Sequence, residues 1–167
     1  MDIRRVGGQI ALLVLSLLGI GISIYLTVVH YDNAPLVCSA SGIVDCARVL
    51  SSPYSVVPGT TSIPISVPGL GWCVIMAALA IGAWRIWPER RSLLIAELVW
   101  ALSGLVTVLY LVYVELVRLH TICAWCTALH VVILLMFLFT ILQIQRPEPE
   151  AELEPEEEKP SVAAKRG

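Results

Sequence analysis

Charge is scarce in this chain. Asp, Glu, Lys and Arg make up 14% of its 167 residues, against 57% hydrophobic residues and a mean hydropathy of +0.83. A soluble domain of this size needs a more charged surface, so the composition points to a polytopic membrane protein. The net charge of −2 is misleading. Glu148, Glu150, Glu152, Glu154, Glu156, Glu157 and Glu158 all lie in the tail, and the body without them is mildly basic. A basic stripe with interleaved aromatics is missing, which argues against nucleic acid as a partner. No small-x-small cleavage site follows the first apolar run at His30-Tyr31-Asp32. That run is also too long for a signal-peptide core, so an uncleaved first helix is expected. No long internal repeat is evident.

What is present is four apolar runs. A hydrocarbon core of about 30 Å needs about 20 apolar residues as a helix. The runs at about 10–29, 67–87, 93–117 and 122–144 meet that length with almost no central charge. Arg4 and Arg5 precede the first, Arg85, Arg90 and Arg91 flank Pro88 between the second and third, and Arg146 follows the fourth. The opposite side holds only Arg48 and Arg118. Positive charge gathers on the cytoplasmic side, so both termini are expected there, with residues 31–66 and 118–121 outside. Trp84 and Trp87 mark the inner interface, and Tyr31, Trp72, Tyr113 and Trp125 the outer one. Trp100 lies deeper and needs a packing partner. Gly19, Gly21, Gly69, Gly71, Gly82 and Gly104 are read as allowing close helix approach.

The expected fold is therefore an all-α integral membrane bundle of four transmembrane helices. Residues 1–9 form a cytoplasmic N-terminus, 10–145 the membrane domain and 146–167 a disordered, acidic cytoplasmic tail. The outer loop is too long for a simple hairpin connection, and such loops are often functional. Ile43, Val44, Ala47, Val49 and Leu50 could form the apolar side of a short surface helix, which Pro53 limits. Pro68 suits the first turn of the second span. The loop and its helix could cap a site at the mouth of the bundle.

Chemistry concentrates in cysteine. Cys123-Ala-Trp-Cys126 opens the fourth run, and its CxxC spacing permits a reversible disulfide. A helix start favours a thiolate, and Thr121 is the expected N-cap. Cys38 and Cys46 lie in the outer loop, where a purely structural disulfide is also open in an oxidising compartment. Two pairs on one face favour exchange, because thiolate attack can pass a disulfide from pair to pair. Cys73, alone in the second span, reads as a small hydrophobe. His130 sits one turn below Cys126, and a histidine inside a membrane helix marks a pathway or ligand by default. Cys123, Cys126 and His130 could be metal ligands, but they lack an obvious fourth apart from the loop cysteines, the pairing of thiols explains more, and no metal is expected. His30 and His120 are expected to be solvated. Glu115 and Arg118 are expected to form a structural ion pair at i, i+3.

The constellation of Cys38, Cys46-Ala-Arg-Val-Leu-Ser-Ser52 and Cys123-Ala-Trp-Cys126 resembles the vitamin K epoxide reductase family over about residues 10–145. The CAWC motif and the Pro-Gly-Leu-Gly entry to the second span look like its bacterial, disulfide-forming branch. The resemblance implies that Cys38 exchanges with a partner thiol, Cys46 passes the disulfide relation to Cys123, and Cys126 faces a quinone of menaquinone or ubiquinone type. Ser52 matches a family serine near the quinone. His130 stands where the vertebrate branch has a tyrosine. A separate extracytoplasmic thioredoxin-fold partner and a bacterial cytoplasmic-membrane location are implied. The same sulfurs could instead reduce a quinone epoxide, and a membrane metal-binding protein is the alternative of another class.

Overall fold

The computed structural model describes residues 3–32, 38, 42–59, 63–86 and 91–145. The acidic tail, Arg146, residues 87–90 (with Trp87, Pro88 and Arg90), and parts of the outer loop lie outside the described residues.

Apolar helices in lipid must satisfy their backbone internally, and the chain does so with four long helices. They are α1 (Ile3–Asp32), α3 (Ser66–Ile81), α4 (Arg91–Tyr113) and α5 (Ala124–Ile144), with a short α2 (Cys46–Leu50) in the loop after α1. A 3-10 turn at Pro53–Ser55 follows α2. π-helical turns extend α3 over Gly82–Ile86 and α4 over Val114–Leu119. The described residues hold no β-strand, only isolated bridges. Val6–Asp32, Ser66–Ile86, Arg91–Leu119 and Ala124–Ile144 are each long and apolar enough to cross a membrane. The protein is an all-α, multi-pass membrane bundle.

The helix bounds differ from the expected spans at several ends. The first helix runs Ile3–Asp32, beyond the expected 10–29 at both ends, and Gln9 is drawn inside the bundle. Its Nε2 donates to Glu97 Oε2 at 3.1 Å and to Gln143 Oε1 at 2.9 Å. All three side chains are buried, so α1, α4 and α5 are joined by hydrogen bonds near the chain termini. The fourth helix starts at Ala124 rather than Ile122, because Ile122 is held in a backbone bridge and Cys123 serves as the N-cap.

α1 packs on α3 and α5, and α4 packs on α5 and α3. Leu12, Cys73, Met76, Ala80, Ala101, Val108, Ile133 and Met136 form the core. Val14, Leu17, Val99, Val106 and Leu138 point outward, as lipid contact requires. Lipid tails are as apolar as Leu, so burial alone does not drive these helices together; close approach and polar pairs do. Cys73 is fully buried, and its sulfur lies 2.7 Å from where a Cβ on Gly19 would stand, so Gly19 makes its room. Trp100 finds its partner in Trp72, with stacked rings at 6.3 Å. Each indole N–H donates to the other residue's carbonyl, at 3.2 and 3.1 Å. Gly104 lies under this pair, and a Cβ there would stand 2.7 Å from Trp72 Cε2. By contrast, Gly21, Gly71 and Gly82 have open space where a Cβ would be and mediate no close approach.

Because Trp72 is fixed at both its ring nitrogen and its carbonyl, it cannot swing away from an added methyl. Gly104→Ala is expected to destabilise the bundle by about 1–3 kcal/mol. Reversible unfolding in micelles checks this; unchanged stability would mean that the Trp72–Trp100 contact is loose.

Candidate functional site

The C-terminal end of α1, the N-terminal ends of α3 and α5 and the last turn of α4 meet at one end of the bundle. All four loop and CxxC cysteines are there. Cys46, Val49 and Cys123 form a buried cluster, packed by Cys38, Leu50, Leu119, Trp125 and Cys126. Cys38 and Cys46 are joined as a disulfide, while Cys123 and Cys126 are free thiols. Cys46 and Cys123 are almost inaccessible, at 1% and 0% exposure; Cys38 and Cys126 are half-buried.

Backbone pairing sets this arrangement. Val44 and Ile122 form a parallel bridge, with Ile122 N–H donating to Ile43 O at 2.8 Å and Asp45 N–H to Ile122 O at 3.1 Å. Cys46 follows one of these segments and Cys123 the other. Asp45 also caps α2, accepting the Arg48 N–H at 3.0 Å. Gly42 has φ +59, a left-handed turn that suits a residue without Cβ and leads into the bridge. The expected surface helix shortens to five residues, and Ile43, exposed at 63%, lies outside it. Further on, Ile65 N–H donates to Ser55 O at 2.8 Å, returning the loop to α3. Pro68 falls in the first turn of α3, where its missing N–H costs no hydrogen bond.

The cap of α5 differs from expectation. Thr121 directs its hydroxyl to Leu119 O at 3.1 Å, and the Cys123 sulfur itself accepts the Cys126 N–H at 3.2 Å. The residue before α5 is extended, so the sulfur of Cys123, not the hydroxyl of Thr121, reaches the free amides. The Cys126 S–H also points at Cys123 and, with that backbone N–H, holds the Cys123 thiol below its ordinary range against the opposing effect of burial. The thiolate favoured by the helix start is thus Cys123.

Beside the cluster opens a partly open cavity. Leu26, Val49, Leu50, Leu111, Val114 and Leu119 give it apolar walls. His30, Ser52, Tyr54, Ser55, Ser66, Glu115 and His130 give it polar points, and Cys126 alone of the five cysteines lines it. Ser52 and His130 therefore share a wall with Cys126. The Ser52 hydroxyl donates to Val49 O at 2.7 Å, so its hydrogen is engaged. His30 lines this cavity, while His120 ends the π turn in a left-handed conformation. Thr27 donates to Ser23 O at 2.7 Å; its single hydrogen is then in use, so Ser66 donates to Thr27 across 2.8 Å.

Glu115 and Arg118 do not pair as expected. In a π turn the i→i+5 ring widens the helix, and residues three apart no longer stack. Arg118 turns outward and bonds Tyr54, whereas Glu115 is 6% exposed and accepts the Cys123 backbone N–H. Among the described residues no three His, Cys, Asp or Glu side chains converge as a metal-ligand set.

An all-α bundle with a disulfide packed against a free CxxC pair, beside an apolar cavity, defines a membrane thiol oxidoreductase. Residues 10–141 match the vitamin K epoxide reductase family, and the chain belongs to that family. A comparison with curated proteins finds no match. The family couples thiol redox chemistry in membranes to quinones. The cavity fits such a group: apolar walls suit a ring and its hydrocarbon tail, and a few polar points suit the ring oxygens.

The Cys123 thiol gives a direct prediction. Thiolate is the form that alkylates, so alkylation of Cys123 in wild type persists at pH values below the ordinary thiol range of about 8.5. With Cys46→Ala as the background, so that no Cys46–Cys123 bridge forms, Cys126→Ala removes the S–H donor and is expected to move the midpoint up; Cys126→Ser keeps a donor and moves it less. Mass-spectrometric alkylation profiles over pH check this, and equal midpoints in all three proteins would refute the assignment.

Proposed function

We propose that this protein oxidises the thiols of an extracytoplasmic thioredoxin-fold partner and passes the electrons to a membrane quinone, supporting disulfide-bond formation. One observation carries the reading: Cys46 packs against Cys123, while Cys126 alone of the cysteines lines the cavity. That order, with half-buried Cys38 at the other end, suits a relay from a soluble partner to a lipid-borne acceptor.

The steps follow from thiol–disulfide exchange. A partner thiolate attacks Cys38 and releases Cys46. Cys46 attacks Cys123 in a Cys123–Cys126 disulfide, and Cys126 leaves and takes a proton. The partner's second thiol displaces Cys38, and the partner departs oxidised. Cys38 then attacks Cys46 and releases Cys123 as a thiolate. The product has Cys38–Cys46 closed and Cys123 and Cys126 reduced, the state seen in this structure. A bound quinone supplies a two-electron, two-proton acceptor. His130 would offer a ring N–H to a quinone oxygen, and Ser52 would do so by releasing Val49 O. We place the thiol end outside a bacterial cytoplasmic membrane and both termini inside, on the distribution of Arg described above.

In Cys126→Ala the Cys123 thiolate is expected to attack the Cys38–Cys46 disulfide at Cys46, release Cys38 and rest as a Cys46–Cys123 bridge; in Cys46→Ala the Cys38 thiolate is expected to open the disulfide of added oxidised partner and stay joined to it. Non-reducing gels with mass mapping check both; the absence of both adducts would refute the relay order. A quinone-epoxide substrate, in place of quinone, would show as epoxide consumption by the same purified protein.

A further inference from the structure

The quinone-linked relay uses no carboxylate, yet one is buried beside its sulfurs. Glu115 is 6% exposed on the π turn that ends α4, in a segment otherwise free of acids. Its side chain accepts the Cys123 backbone N–H, and its charge acts on both Cys123 and Cys126. It also lines the cavity that Cys126 and His130 line. The π turn is what aims it there, since an α-helical continuation would stack it over Arg118. π turns recur at functional sites for this kind of re-aiming. Its backbone carbonyl accepts the Thr121 N–H at 3.0 Å, which fixes the turn leading to Cys123.

We propose that Glu115 is the proton carrier of the Cys123–Cys126 pair, taking up a proton when the pair is reduced and delivering it into the cavity when the pair closes. Two adjacent buried negative charges, a Cys123 thiolate and a Glu115 carboxylate, disfavour one another. The reduced state therefore holds one proton on Cys126 sulfur and one on Glu115. On closure, the S–S bond forms, two electrons leave the sulfurs, and the Cys126 and Glu115 protons leave with them. A quinone becomes a quinol by accepting those two electrons and two protons, so charge and atoms balance. The other titratable groups facing the cavity are His30 from α1, Tyr54 from the 3-10 turn, and Cys126 and His130 from α5. None of these accepts the backbone N–H of Cys123. Arg118, on the same turn as Glu115, faces Tyr54 and does not neutralise it.

This role rests on the quinone-linked reading, but its test does not require quinone. Reduced-minus-oxidised infrared spectra of the full-length protein, poised with a dithiol buffer alone, are expected to show a carboxylic C=O band on reduction. Glu115→Gln keeps an oxygen for the Cys123 N–H and is expected to abolish that band; Glu115→Asp is expected to restore one. With quinone added, single-turnover reduction by wild type is expected to fall as pH rises and Glu115 loses its proton. Glu115→Gln is expected to be about 100-fold slower and to lack that alkaline decline. Absence of the band in wild type, its persistence in Glu115→Gln, or a wild-type rate and pH profile in that variant would each overturn the carrier. A wild-type band without any electron transfer to quinone would support the carrier while refuting the quinone reading.

Discussion

Two backbone hydrogen bonds between the loop after α1 and the approach to α5 are the constraint on which the site depends. The Val44–Ile122 bridge fixes where Cys46 and Cys123 stand, and each cysteine then begins or caps a helix. A disulfide exchange requires an attacking sulfur to approach along a defined line. Loops without such ties sample many positions, and ordering them at each turnover would cost conformational entropy. Here the ordering is built into the fold.

The bundle gathers its larger buried polar side chains towards two ends, with Ser16 and Ser23 buried between them. Gln9, Glu97 and Gln143 join α1, α4 and α5 near the termini, while the thiol cluster and the cavity occupy the other end. Between them the core is mostly apolar and tightly fitted, with Cys73 under Gly19 and Trp72 interlocked with Trp100. In lipid, where apolar burial does not distinguish one helix contact from another, these polar and close-approach contacts give the bundle a definite arrangement. That arrangement holds the helix ends that form the cavity.

The four spans were legible because a bilayer imposes a length and a hydropathy that few other structures satisfy. The gathering of the two cysteine pairs at one end of the bundle was legible because a CxxC and a second loop pair have few other uses together. Gln9 was not, since a polar residue ahead of an apolar run looks like a helix flank until its partners at positions 97 and 143 are known. The Glu115–Arg118 reading failed for a related reason: i, i+3 pairing presumes an α-helix, and nothing local announces that the backbone widens to a π turn. The Thr121 cap failed because Ile122 is held in a bridge with a residue far back in the chain, which moves the helix start to Ala124.

The sequence by itself determined the membrane bundle, the number of its spans and the identity of the four sulfurs, because each follows from composition or spacing within a short stretch. Only the tertiary structure decided which sulfur caps the helix, which one meets the cavity, and that a carboxylate lies beside them. Those are relations between segments distant in sequence, and they are set by a backbone bridge and a π turn whose hydrogen bonds leave no mark in residue type.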